Sequence, residues 1–149
     1  MEEIKVAGEI AQFIVIRLGQ EQYGIDISYI ENIVRMQHIT RVPKLAPYLK
    51  GVINLRGEVI PIMCLSMKMG LPVEEETKAS RIIIIKMEQC GTLGLIVDEV
   101  KEVVTLDMTE QVEKLAFKKE DKSNFVQGVG KCAGGLISLL DLNAVTAEK

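Results

Sequence analysis

Tyr48-Leu49-Lys50-Gly51-Val52 and Phe125-Val126-Gln127-Gly128-Val129 share a leading aromatic residue, a glycine and a following valine, and they stand 77 residues apart. The correspondence continues outward. At the same offset Gly57 falls on Gly134, Val59-Ile60-Pro61-Ile62 on Leu136-Ile137-Ser138-Leu139, and Leu65 on Leu142. Upstream the offset becomes 70: Phe13-Ile14-Val15-Ile16 falls on Ile83-Ile84-Ile85-Lys86, Gly24-Ile25 on Gly94-Leu95, and Ile30, Ile33 and Val34 on Val100, Val103 and Val104. An apolar pattern that returns at a near-constant interval marks two copies of one structural motif. The step from 70 to 77 puts seven additional residues into the second copy, within the polar stretch 106–124, whose Lys118-Lys119-Glu120-Asp121-Lys122 run reads as a solvated loop.

The repeated blocks are strands. Phe13 to Ile16, Ile82 to Ile85, Gly94 to Val97 and Leu136 to Leu140 are short, rich in β-branched residues and bounded by glycine or charge, as strands buried on both faces are. Helical periodicity is confined to Leu65-Ser66-Met67-Lys68-Met69, closed by Gly70 and Pro72, and to a turn around Ser28-Tyr29-Ile30. Each half therefore reads as about five strands, enough to close a small barrel with few exposed edges. The fold class is mainly β: two five-stranded barrels packed together, with a few short helices. The first subdomain spans about 12–70 and the second about 80–145 of a single domain, 1–149.

Composition limits the chemistry. With 18 basic and 21 acidic side chains the net charge is −3, which supplies no broad basic surface for a nucleic-acid backbone, and three Phe and three Tyr make a poor stacking platform. A small-barrel nucleic-acid- or protein-binding module stays as the alternative reading. No apolar run reaches the roughly 18 residues of a membrane span, and Met1-Glu2-Glu3-Ile4-Lys5 lacks the basic leader of a secretory signal, so the protein is expected in the cytoplasm. Cys64, Cys90 and Cys132 are widely spaced and are read as small buried apolar residues. The lone histidine, His38, is read as a surface residue beside a strand, leaving no multi-histidine metal site and no basis for a hydrolytic triad. No phosphate-binding loop occurs, and no enzyme activity, cofactor or metal is implied.

Two like barrels in contact create a groove, and Ile30, Ile33, Val100 and Val103, which the repeat places at matching positions, are its candidate lining. The segments Leu18-Gly19-Gln20-Glu21-Gln22-Tyr23-Gly24-Ile25-Asp26-Ile27, Ile39-Thr40-Arg41-Val42-Pro43 and Pro47 to Ile62, with its Gly51-Val52-Ile53-Asn54-Leu55-Arg56-Gly57 core, closely resemble the CheW family of bacterial and archaeal chemotaxis coupling proteins. Gly94-Leu95-Ile96-Val97-Asp98-Glu99-Val100 fits as well, and the match runs from about Gln12 to Val145.

That resemblance implies two intertwined five-stranded SH3-like barrels and a non-catalytic scaffold. It would couple the cytoplasmic tip of a methyl-accepting chemotaxis receptor to the histidine kinase CheA and be recruited to membrane-associated receptor arrays. Receptor tips are helical hairpins, and a helix laid in a groove needs aliphatic anchors with a polar rim. The implied receptor-binding residues are Ile30, Ile33, Val100 and Val103 as anchors, with Asn32 and Arg56 at the rim. Arg56 suits helix-end carbonyls or carboxylates through its planar fork; pairing with Glu31 or Glu58 inside the chain is its alternative role. The kinase-binding surface is expected around Val42, Pro43, Leu45 and Gly51, where the CheA regulatory domain would dock; a plain hairpin-turn role is the alternative for Gly51. Two positions depart from the family pattern. Cys64 stands where an acidic residue is usual, whereas its repeat mate Asp141 keeps the carboxylate, and Asn32 replaces a residue that is often acidic.

Overall fold

The computed structural model describes residues 9–114 and 125–147. The first repeat supplies β1 (Ile10–Leu18), β2 (Glu21–Asp26), a 3-10 turn (Ile27–Tyr29), β3 (Ile30–Arg35), β4 (Leu49–Leu55), β5 (Glu58–Cys64) and the one-turn helix α1 (Leu65–Lys68). The second supplies β6 (Arg81–Met87), β7 (Gly91–Val97), β8 (Glu99–Asp107), β9 (Val112–Lys114), β10 (Val126–Cys132), β11 (Gly135–Leu140) and α2 (Leu142–Thr146). The polar stretch after Leu106 is thus more than a loop. Val112–Lys114 pairs with β10 as a short strand, held by Gln111, whose side chain accepts from Asp107 N–H at 2.9 Å and donates to Lys131 O at 3.1 Å. The Lys118–Lys122 run lies outside the described residues.

The strands form two sheets, one in the order β8-β1-β2-β11-β10-β9 and the other β3-β6-β7-β5-β4. Six strands therefore stand where five were expected in one unit, because β9 is added beside β10. In the other unit the corresponding contact is a single bridge, Thr40 to Val52, with hydrogen bonds of 2.8 and 2.9 Å. Each sheet combines both repeats: the opening hairpin of one is completed by the closing hairpin of the other, through parallel pairs β2/β11 and β5/β7. The compact units consequently cut across the boundaries 12–70 and 80–145. Among the described residues, one takes in 9–16, Glu21–Ser28, 101–114 and 125–147; the other takes Arg17–Gln20 and Tyr29–Val100.

Register explains why glycine recurs in the Gly24 and Gly94 blocks. Gly24 pairs with Leu139 and Gly94 with Ile62. A Cβ on Gly24 would come within 2.9 Å of Leu139 Cδ2, and one on Gly94 within 2.6 Å of Ile62 Cδ1. The bare backbone lets the partner strand's side chain lie across it. Each unit then closes its own core: Phe13, Val15, Leu106, Ile137 and Leu139 in one, Ile53, Ile60, Ile62, Ile82 and Ile84 in the other.

These cores correct the repeat alignment by one residue. A Cβ on Gly24 would lie 3.5 Å from Phe13 Cβ and one on Gly94 2.8 Å from Ile82 Cγ2, so Phe13 and Val15 correspond to Ile82 and Ile84, an offset of 69. The additional residue sits in the β6–β7 turn, Glu88-Gln89-Cys90, against Gly19-Gln20 between β1 and β2. Since faces alternate along a strand, a one-residue shift exchanges inside for outside.

Candidate functional site

Between β3 and β4 the chain makes no strand, yet it is closely held. Thr40 is bound to Val52 at its start, and Tyr48 O accepts from Cys64 N–H at 2.7 Å at its end. Pro43 and Pro47 stiffen the path, and Lys44 takes a left-handed conformation (φ 65°) in the turn after Pro43. The segment walls a cleft of about 590 Å³. Val42 and Leu45 on its rim are 40% and 39% exposed, so their apolar surface is open to solvent beside exposed Pro43. Arg41, Lys44 and Lys50 line the same cleft, and among the described residues no lining residue is acidic. In a chain of net charge −3 this is a local reversal of sign. The surface suits a partner presenting apolar side chains flanked by carboxylates.

Gly51 plays a different part. It is buried in β4, after a bulge at Lys50 that shifts the pairing from Leu49–Met63 to Gly51–Ile62, and its φ is 138°. A Cβ there would overlap the Thr40 carbonyl. Gly51 is therefore neither a surface residue nor a hairpin-turn glycine: it admits the backbone that anchors the cleft. The hairpin turn is made by Arg56 (φ 54°) and Gly57 (φ 85°), with Gly57 N–H donating to Asn54 Oδ1 at 3.0 Å.

The other predicted residues divide between faces and units. A bulge at Glu31 shifts the β3–β6 register from Ile30–Ile85 to Asn32–Ile84 and Ile33–Ile83. Ile30 and Ile33, three apart, would lie on opposite faces of a regular strand; the bulge puts both on the face of Ile83 and Ile85. Asn32 is on the other face, where its Oδ1 accepts from Ile33 N–H at 2.9 Å. Arg56 is exposed at the β4–β5 turn, separated from β3 by β6 and β7 in the sheet order. Glu31 pairs with Lys86 at 4.0 Å, and among the described residues no carboxylate pairs with Arg56. Val100 is half-buried at the start of β8, and Val103, in the other unit, is 52% exposed.

A family model described as the CheW-like domain matches residues 12–149. The chain belongs to the CheW-like family. The chemotaxis protein CheW of Bacillus subtilis is 34% identical over 143 residues, covering 96% of this chain and 89% of that protein. CheW of Helicobacter pylori is 31% identical over 137 residues, 92% and 82% of the two chains. A crystal structure of the scaffolding protein TtCheW from Thermoanaerobacter tengcongensis superposes with a TM-score of 0.84 at 31% identity, covering 93% of this chain and 94% of that one.

Within this CheW-like chain the Cys64 departure has a visible effect. Cys64 is the N-cap of α1 and makes no side-chain cap bond, whereas Asp141 caps α2 by accepting from Asn143 N–H at 3.1 Å and Ala144 N–H at 3.4 Å. The cysteines are not uniformly buried. Cys64 is buried, Cys132 half-buried and Cys90 exposed, the last because it lies in the lengthened β6–β7 turn. His38 is exposed just beyond β3. Sequence reading passed over Tyr23, the buried phenol of the Tyr-Gly-Ile segment. Its hydroxyl donates to Glu21 Oε1 at 3.2 Å, and burial, reinforced by that carboxylate, pushes its pKa up to about 12.

Proposed function

We propose that the chain is a non-catalytic scaffold that couples a methyl-accepting chemotaxis receptor to the kinase CheA. The observation that carries this reading is membership of the CheW-like family over residues 12–149 together with the likeness to a protein described as a scaffold. The cleft walled by Val42, Pro43 and Leu45 is the kinase surface in this proposal, with Arg41, Lys44 and Lys50 steering it toward an acidic partner. Gly51 serves that surface from beneath, by letting Thr40 and β4 come together. For the receptor, Ile30 and Ile33 share a face, Val100 and Val103 supply further aliphatic surface, and Arg56 offers a fork with no carboxylate partner among the described residues; Asn32 acts locally on β3. Two contacts of micromolar strength, each worth roughly 8 kcal/mol, suffice in an array where linked sites raise one another's effective concentration. The family match disfavours a nucleic-acid-binding role.

Sedimentation of the purified chain with a receptor cytoplasmic fragment and, separately, with CheA tests the proposal. Both complexes are expected. Leu45→Asp should weaken the CheA complex alone, and Arg56→Ala or Ile33→Asp the receptor complex alone, each with an unchanged circular dichroism spectrum. Failure of the unmodified chain to form either complex rejects the coupling role.

A further inference from the structure

The β3–β6 pair ends in an arrangement that the sheet itself does not favour. Arg35 and Arg81 are directly opposite each other in the antiparallel register, where like charges repel. Both line a cleft of about 470 Å³ with Lys78, Thr77 and Glu76. Arg81 is fixed there: its Nη1 donates to Lys78 O and to Ser80 O, both at 2.8 Å. That leaves the Nε and Nη2 donors without a protein acceptor among the described residues. Thr77 Oγ1 accepts from Ala79 N–H at 3.1 Å, so its hydroxyl proton is free to be donated. Although Glu76 borders the cleft, among the described residues no carboxylate comes within 4.0 Å of Arg35, Lys78 or Arg81.

The other unit shows that the fold does not demand this charge. Arg35 corresponds to Thr105 at the offset of 70, and Arg81 to Gln12 at the offset of 69 fixed by the core residues. Gln12 and Thr105 line a cleft of nearly the same size, about 480 Å³, and Gln12 Nε2 donates to Thr105 Oγ1 at 3.5 Å. A neutral pair thus closes on itself at the equivalent place, and among the described residues no cation lines that cleft.

The geometry points to an oxyanion site at the end of β3 and β6, in which a phosphoryl group is held between Arg35 and the free edge of the Arg81 guanidinium, with Lys78 and Thr77 completing its shell. A doubly charged oxyanion relieves the arginine–arginine repulsion and matches fork-shaped donors better than a single carboxylate does. The site lies beside Ile33, on the same face of β3 and two residues further along.

The test is an amide chemical-shift titration of the full chain with inorganic phosphate, O-phosphoserine and acetate in turn, at constant ionic strength. Saturable shifts confined to residues 34–36 and 77–82 are expected for phosphate or phosphoserine. Tighter phosphate binding assigns a free ion, and tighter phosphoserine binding a phosphorylated side chain. Arg35→Gln, at an exposed position, should weaken binding about fivefold or more while the rest of the spectrum is unmoved, and Arg81→Lys should also weaken it, because the fork is lost although the charge remains. Acetate binding as tightly as phosphate, shifts scattered over all basic residues, or an Arg35→Gln affinity equal to that of the unmodified chain would each overturn the proposal.

Discussion

The two units build one strand plan from different chemistry. Gly24 and Gly94 accept a side chain from a parallel neighbour in the same register, and Lys50 and Gln127 form bulges at matching places ahead of Gly51 and Gly128. Around that shared frame the details diverge. Asp141 caps its helix and Cys64 does not, Tyr23 is a buried phenol where its mate Leu93 is a buried aliphatic, and two arginines face each other where the other unit has Gln12 and Thr105. The shared glycines and bulges are what the frame requires, whereas the facing arginines are not.

The largest expected effect concerns the bulge glycines. Gly51→Ala forces a Cβ into the Thr40 carbonyl at φ 138° and should destabilise by about 3 kcal/mol or more in urea unfolding. Gly128→Ala meets Glu113 O at 2.9 Å without a positive φ, and about 1–2 kcal/mol is expected. Equal losses would break the contrast. Next, Asp141→Ala should cost about 1 kcal/mol and leave the first turn of α2 as unsupported as that of α1, read by the same unfolding curves.

Tyr23 sharpens the comparison through pH. Its folded pKa of about 12 exceeds the ordinary 10.0, so the native state holds the phenolic proton more tightly than the unfolded chain does. The stabilisation is fully present below pH 10 and is lost as pH rises toward 12. Urea midpoints should fall across that window, and Tyr23→Phe, which makes the position as untitratable as Leu93, should remove this part of the decline. The smallest effect is at Arg56. Arg56→Asn relieves a left-handed residue and should stabilise by about 0.5–1 kcal/mol, while weakening the receptor complex. A gain in stability without loss of binding would separate Arg56 from the receptor surface.

Much of this was legible in the residues. The repeat, the Ile82–Ile85 strand and the helix at Leu65 are local patterns, and hairpins such as β4–β5 follow from neighbours in sequence. The exchange of hairpins was not legible from periodicity, because nothing in the alternation of β2 specifies that its neighbour is β11, more than a hundred residues away; that expectation came only with the family resemblance. The bulge at Glu31 escaped for a related reason: its signal is a pairing register, and the sequence of β3 alone does not contain one. For the cleft, Val42, Pro43 and Leu45 were expected only through the family resemblance, and Gly51, expected on the same surface with a hairpin turn as its alternative, is instead buried where its positive φ answers to Thr40, a contact across a loop.

The order of strands has a consequence for synthesis. The sheet containing β3 to β7 has all its members once the ribosome has passed Val97. The other sheet must keep β1 and β2, made before β3 to β7, waiting for β10 and β11. A nascent chain can therefore close its later-starting unit first, and the apolar stretch Phe13 to Ile16 stays without its final neighbours until β11 has been made.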